Sequence, residues 1–189
     1  LKTVENRLET KLSVAEDRTA ARQIFEVASQ RSIYRSLEKT ILAVKSRRDL
    51  FLHLTDKLDK FFAIHKASFS IHDPSKDFMR VPIVLQDGVM KSGVVISIAG
   101  EKSLMRNVLN NGSIYVEDFP KQAVGNIVER KLLLLDKTSS LAIAPLRCSG
   151  VQLGTINFAS PAPFAFSVFS SHLFDYLFSK VAQRFADLK

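Results

Sequence analysis

The chain of 189 residues is 46% hydrophobic and 24% charged, a composition that fits one folded domain with an appendage. Its formal charge of +8 divides evenly, with an excess of four over residues 1–60 and four over 61–189, so no basic arm or stripe marks a nucleic-acid interface. The single cysteine, Cys148, excludes an internal disulfide and a cysteine-built metal centre, and no run approaches the ~20 apolar residues of a membrane span.

A cytoplasmic setting is expected, and no secretory signal pattern is present. Because the chain opens on Leu1, the reading also expects a piece of a longer polypeptide. Residues 1–62 contain no Gly or Pro and read as helical throughout. Leu1, Val4, Leu8, Leu12 and Ala15 form a narrow seam, as in a coiled coil or a signalling helix. A broader apolar face follows from Ile24 to Val44. Ser46-Arg-Arg-Asp49 reads as a capping box that starts a new helix carrying Leu50, Leu54, Leu58, Phe61 and Phe62.

The period then changes to two. Ala67, Phe69 and Ile71 alternate with Ser68, Ser70 and His72, and strands are expected at 79–85 and 93–99. Residues 103–110 suit a short helix stopped at Asn110-Asn111-Gly112. A short strand within 113–119 and a variable helical or loop region over 121–135 come next.

The clearest hairpin is Leu141–Cys148 with Val151–Ala159 around Ser149-Gly150. With those two residues as the loop, paired positions sum to 299. Leu141 then faces Phe158 and Ile143 faces Ile156 on a bulky side. Ala142 meets Asn157 and Ala144 meets Thr155 on a small, partly polar side. Pro145 falls opposite Gly154, which marks an irregular or edge position. Pro161 and Pro163 forbid further pairing, so the chain must leave the sheet before a last helix that Ser167 caps and that runs to about Leu188. Phe169, Leu173, Phe174, Leu177, Phe178, Val181 and Phe185 span too wide an arc on that helix for one buried face.

This order resembles a GAF domain. "SLAIAPLRCSGVQLGTINFASPAPFAFS" is similar to the family's strand ending in Pro-Leu, its Gly turn, its Leu-Gly-x-Leu-Asn-Phe-x-Ser strand and a Phe before the last helix. "SIYVEDF" resembles its short strand ending in an acidic residue, here Asp118. The resemblance covers residues 36–189 and leaves 1–35 as a helical linker. It implies an α+β fold: an antiparallel sheet with helices on both faces, the first and last bundled on one face and often dimerising. A small-molecule pocket is implied on the other.

On that layout Ala142, Ala144, Thr155 and Asn157 leave volume and hydrogen-bonding groups on the pocket side, and Ser68 and Ser70 continue it. The small residues equally suit a close-packed helix. Arg106 and Asn107 lie on the short helix expected to roof the pocket, where Arg106 can neutralise an acidic ligand, as can Arg80 or Arg147.

Chemistry is harder to find. No phosphate-binding Gly-x-x-x-x-Gly-Lys loop, no His-Glu-x-x-His helix and no Gly-x-Ser-x-Gly elbow occurs. His53 is read as a partly buried helix histidine and Cys148 as a buried thiol at a strand end. The family's methionine-sulfoxide reductases rely on several cysteines, and its bilin-binding members on a cysteine near the variable middle. Its cyclic-nucleotide binders carry an Asn-Lys…Phe…Asp-Glu signature. This sequence departs from all three.

The expectation is therefore a non-catalytic sensory domain without a cofactor, a homodimer through its N- and C-terminal helices, with no direct nucleic-acid or membrane contact. It would serve a bacterial signal-transduction or transcription regulator. The output domain would lie elsewhere on the parent chain: a histidine kinase of a two-component system, a cyclic-dinucleotide enzyme or, the favoured reading, an enhancer-binding activator. A dimerisation module with a side-chain-filled pocket is the alternative, and an enzyme with a constellation hidden from linear spacing is a third.

Overall fold

The structure, a computed structural model, describes residues 31–76, 78–97, 102–122, 124–167 and 171–188. The chain divides into two units, Leu1–Ser36 and Leu37–Lys189. The seam expected over Leu1–Ala15, like most of the first unit, lies outside the described residues. The second unit begins within a helix over 31–43 (α1), which supplies buried Leu37 and Ile41.

Helix α2, Arg47–Phe62, starts where the capping box predicts. Ser46 accepts from the backbone N–H of Asp49 at 3.0 Å and donates to its carboxylate at 2.7 Å. Leu50, Phe51, Leu54, Leu58 and Phe62 form its buried stripe, and Ala63 ends it in the left-handed region at φ 48°.

Six strands follow: β1 Lys66–Asp73, β2 Phe78–Gln86, β3 Val89–Ser97, β4 Ile114–Val116, β5 Ser140–Cys148 and β6 Val151–Ser160. They form one antiparallel sheet in the order β3-β2-β1-β6-β5-β4. Between them lie α3 (Leu104–Asn111), the one-turn α4 (Phe119–Gln122) and α5 (Ile127–Leu135), and α6 (Ser171–Asp187) closes the chain. Strand β3 begins at Val89, four residues before the predicted start, because Asp87 and Gly88 both take positive φ (49° and 74°) and close a two-residue hairpin.

Helices α2 and α6 share one face of the sheet. Phe69 of β1 lies between them, 4.9 Å from the Phe51 ring and 5.1 Å from that of Phe185. Phe158 stacks on Phe178 at 6.0 Å, and Tyr115 of β4 meets Phe174 at 5.4 Å. Arg47 ties the helix ends together: its Nε donates to the Phe185 carbonyl at 3.0 Å while its guanidinium sits over the Phe185 ring. The buried residues described on α6, from Phe174 to Phe185, make a single stripe. Phe169 and the Leu173 side chain, which widened the predicted arc, lie outside the described residues.

The proline crossover is anchored at both ends. Ser140 donates to the Ala162 carbonyl and Ser160 to that of Ala63, while the N–H of Phe164 reaches the Glu117 carbonyl at 2.7 Å. The Ser167 hydroxyl donates back to the Phe164 carbonyl at 2.8 Å; the residues it was expected to cap lie outside the described ones, and the described helix starts at Ser171.

The β5–β6 register corrects the sequence reading. Cys148↔Val151 and Arg147↔Gln152 obey the predicted sum, but a shift at Leu146/Arg147 moves every pair beyond by one. Ala142 therefore faces Phe158, Ala144 faces Ile156, Ile143 faces Asn157 and Leu141 faces Ala159. Pro145 pairs with Thr155 instead of Gly154. Strand β4 pairs only with Leu141–Ile143, so the donor that Pro145 lacks is not needed on the outer edge.

Candidate functional site

The face of the sheet opposite α2 and α6 is polar at its centre. Asn157 on β6 donates to the Ser68 hydroxyl at 3.0 Å and the Ser70 hydroxyl at 3.1 Å, both on β1, and accepts from Thr155 at 2.9 Å. Thr155 also lies 3.3 Å from the Met105 sulfur. Asn157 uses its donors and acceptor across two strands, which is the satisfaction a buried amide needs.

Around this floor the face is apolar. Leu104 and Val108 of α3 pack on Leu141 and Ile143 of β5, together with Val116, Phe119 and Ala159. Helix α5 completes a roof, yet none of its own residues is buried: Leu133 packs inward while Ile127, Val128, Leu134 and Leu135 face solvent.

Polar clasps hold α5 at both ends. Asn126 and Glu129 form a capping box at its start. The Glu129 carboxylate also accepts from the backbone N–H of Leu104 at 3.0 Å and from the Ser103 hydroxyl at 3.0 Å, so it joins the starts of α3 and α5. At the other end Asp136 pairs with Lys66 of β1 and accepts from Gln86 of β2 at 3.4 Å.

Between floor and roof lies a cavity of about 320 Å³. Its lining is mostly aliphatic, with Ser68 and Asn157 on the floor and Lys66, Gln86, Lys91 and Glu129 at its margins. Such a volume, with few polar groups in an apolar wall, has the character of a small-molecule site.

Of the eight residues singled out from sequence, Ser68 and Asn157 line this cavity, and Ser70 and Thr155 join them through hydrogen bonds. Ala142 and Ala144 do not. The shifted register turns both toward the bundle face, opposite Phe158 and Ile156, and brings bulky Leu141 and Ile143 to the cavity. Arg106 and Asn107 sit on α3 outside the lining; Asn107 is exposed and accepts from Asn111 at 2.6 Å.

Sequence reading missed Lys66, Gln86, Lys91, Glu129, Leu132 and Leu133. The Asn126-x-x-Glu129 capping box was a usable signal for the clasp. Lys66, Gln86 and Lys91 needed the three-strand register, which no local pattern contains.

His53, Cys148 and Arg147 are differently placed from the readings given them. His53 is exposed on α2, and Cys148 is half-buried with its thiol 3.3 Å from the Gln183 side-chain oxygen. Arg147 donates to the Leu109 carbonyl at the end of α3. His65, just before β1, is held below its ordinary pKa of 6.5, chiefly by burial, and lies 3.2 Å from the Thr138 hydroxyl. Burial raises the Tyr115 pKa far above its ordinary range. Among the described residues no group of three or more His, Cys, Asp or Glu is placed to hold a metal, and no helix is long and apolar enough to cross a membrane.

No protein-family model and no curated protein matches the sequence. Solved structures do. The GAF domain of an Acinetobacter phosphoenolpyruvate-protein phosphotransferase is similar over 84% of this chain and 94% of its own, at TM-score 0.65 and 13% identity. The GAF domain of A. aeolicus nlh2, in an inactive state, covers 85% and 98% at TM-score 0.63 and 13% identity. A free methionine-R-sulfoxide reductase from Neisseria meningitidis covers 84% and 89%, also at TM-score 0.63 and 13% identity. With its six-stranded antiparallel sheet between a two-helix face and a roofed face, this chain has the GAF-type fold.

Proposed function

We propose that this is a sensory or regulatory module that binds a small molecule in the roofed cavity and passes the resulting change to its terminal helices. The observation that carries the reading is the cavity itself: about 320 Å³ of space lies on one face of the sheet, while α2 and α6 occupy the other. A ligand that prefers one packing of roof and floor shifts the population of helix arrangements. The regulator is bacterial and cytoplasmic, it dimerises through its N- and C-terminal helices, and an output domain on the parent chain reads the change.

The module is non-catalytic on this reading. The similar reductase is an enzyme by its name, but the only thiol here, Cys148, lies at the β5–β6 turn and not in the cavity lining. The rival reading, a structural module with a plugged pocket, is disfavoured by where the rings are. The aromatic contacts of Phe51, Phe62, Phe69, Phe158, Phe174, Phe178 and Phe185 join α2, α6 and the bundle side of the sheet.

The test is a thermal-shift screen of the 189-residue chain, stripped of co-purified molecules, against nucleotides, amino acids and small organic acids. A binder stabilises in proportion to the logarithm of its concentration. Ile143→Trp, which fills the cavity, should abolish the shift. A shift that survives this change places binding elsewhere and ends the reading. Sedimentation of the same chain over a concentration series checks the dimer.

A further inference from the structure

The strand register sorts the cavity floor by polarity. One row across the sheet runs Val116, Leu141, Ala159, Lys66, Gln86, and the next runs Ile143, Asn157, Ser68, Val84, Lys91. The floor is therefore aliphatic over β4 and β5, hydroxyl and amide at the centre, and cationic over β1 and β3.

Charge follows the same axis. Glu129 marks the α3 end, its carboxylate occupied by the Leu104, Asn126 and Ser103 donors. Seven residues along α5, roughly 10 Å away, Asp136 sits beside Lys66. Lys91 donates to the neutral side-chain oxygen of Gln86 at 2.8 Å and, among the described residues, meets no carboxylate. Lys66 and Lys91 are the charged groups lining this end of the cavity. Asp136 pairs with Lys66 and Asp87 lies near His65, both outside the lining. That leaves the Lys91 ammonium as the cation that faces the cavity without a carboxylate partner among the described residues. An anion is attracted there and repelled from the Glu129 end.

We propose that the cavity takes an amphiphilic monoanion, such as a medium-chain carboxylate, with its head between Lys66 and Lys91 and its apolar body over Leu141 and Ile143. This deepens the small-molecule reading above and rests on it. The head competes with Asp136 for Lys66. Because Asp136 caps α5, binding also loosens the polar clasp at that end of the roof.

The test is calorimetric titration of the 189-residue chain with octanoate, 1-octanol and octylammonium, which share a body and differ in head charge. Octanoate is expected to bind about tenfold tighter than 1-octanol, and octylammonium more weakly than either. Lys91→Gln, an exposed change that puts little at risk in folding, should weaken octanoate about fivefold and leave 1-octanol unchanged. Asp136→Asn, which frees Lys66, should tighten octanoate about threefold and again leave 1-octanol unchanged. Octanol binding as tightly as octanoate, or Asp136→Asn bringing no gain, overturns the anionic class while the cavity reading stands. If none of the three binds, the amphiphilic class falls, and the small-molecule reading stands or falls by the thermal-shift screen and Ile143→Trp.

Discussion

Gly154 of β6 presses against the backbone of Ser70 so closely that a Cβ at this position would lie 1.7 Å from the Ser70 carbonyl oxygen. Its φ of 154° is also one that residues with side chains rarely adopt. The two constraints act together where β6 passes between β1 and β5, beside the register shift. Gly154→Ala should therefore destabilise the fold by at least about 2 kcal/mol, read as a lower urea midpoint with an unchanged slope. A midpoint equal to that of the parent chain would show that the strands separate here at no cost.

The corrected register makes Ala144 a bundle residue, 1% exposed and opposite Ile156. Ala144→Phe adds a ring where the sheet meets the helices of that face, and overpacking of this kind costs about 1–3 kcal/mol. The expected outcome is a lower melting temperature with the cavity volume unaffected. Ile143→Trp is the contrasting variant, since it fills the cavity and should remove ligand binding. If Ala144→Phe blocks a ligand and Ile143→Trp does not, the assignment of faces is reversed.

Glu129 joins two helix starts and part of the cavity margin through one carboxylate. Glu129→Ala removes bonds to several donors at once, and the loss should be about 2 kcal/mol. The more diagnostic readout is local. Amide exchange should accelerate at Leu104 and Asn126, whose N–H groups the carboxylate holds, while Leu54 on α2 keeps its protection relative to global stability. Uniform acceleration would mean that the clasp is not a local device.

His65 supplies a pH dependence with a definite sign. Burial lowers its folded-state pKa below the ordinary 6.5; Lys66 adds to that effect, and Asp87 and Asp136 oppose it. As pH falls through 6.5 the unfolded chain takes up the proton first, so stability is complete above that value and declines as pH drops toward the folded pKa. His65→Gln should flatten this part of the profile when urea midpoints are compared between about pH 7.5 and pH 5. A slope identical to that of the parent chain would remove His65 from the pH response.

Much of the fold was legible because its boundaries are local chemistry. Ser46 caps α2 through Asp49, Gly112 stops α3, and Ser149-Gly150 turns β5 into β6. The polar floor was legible for the same reason: Ser68, Ser70, Thr155 and Asn157 alternate with apolar residues on their strands.

What failed was a distance of one residue. A two-residue turn sets the sum of paired positions at 299, and the pairs next to the turn keep it. The shift near Gly154 then changes parity for the remainder of β5 and exchanges Ala142 and Ala144 for Leu141 and Ile143. A glycine inside a strand was the available warning. The lysine end of the cavity was not legible, because Lys66, Gln86 and Lys91 meet only through three-strand pairing and the anchoring of α5 by Asp136.

Strand β1 has a consequence of its own. Ser68 and Ser70 hold the cavity floor, and Phe69 between them is wedged against Phe51 and Phe185. The peptide units that carry the floor thus also carry the wedge, and no compliant layer separates them. On the sensory reading proposed above, a ligand that tilts the strand through either hydroxyl would turn the aromatic ring on the far side with it, like the other arm of a lever.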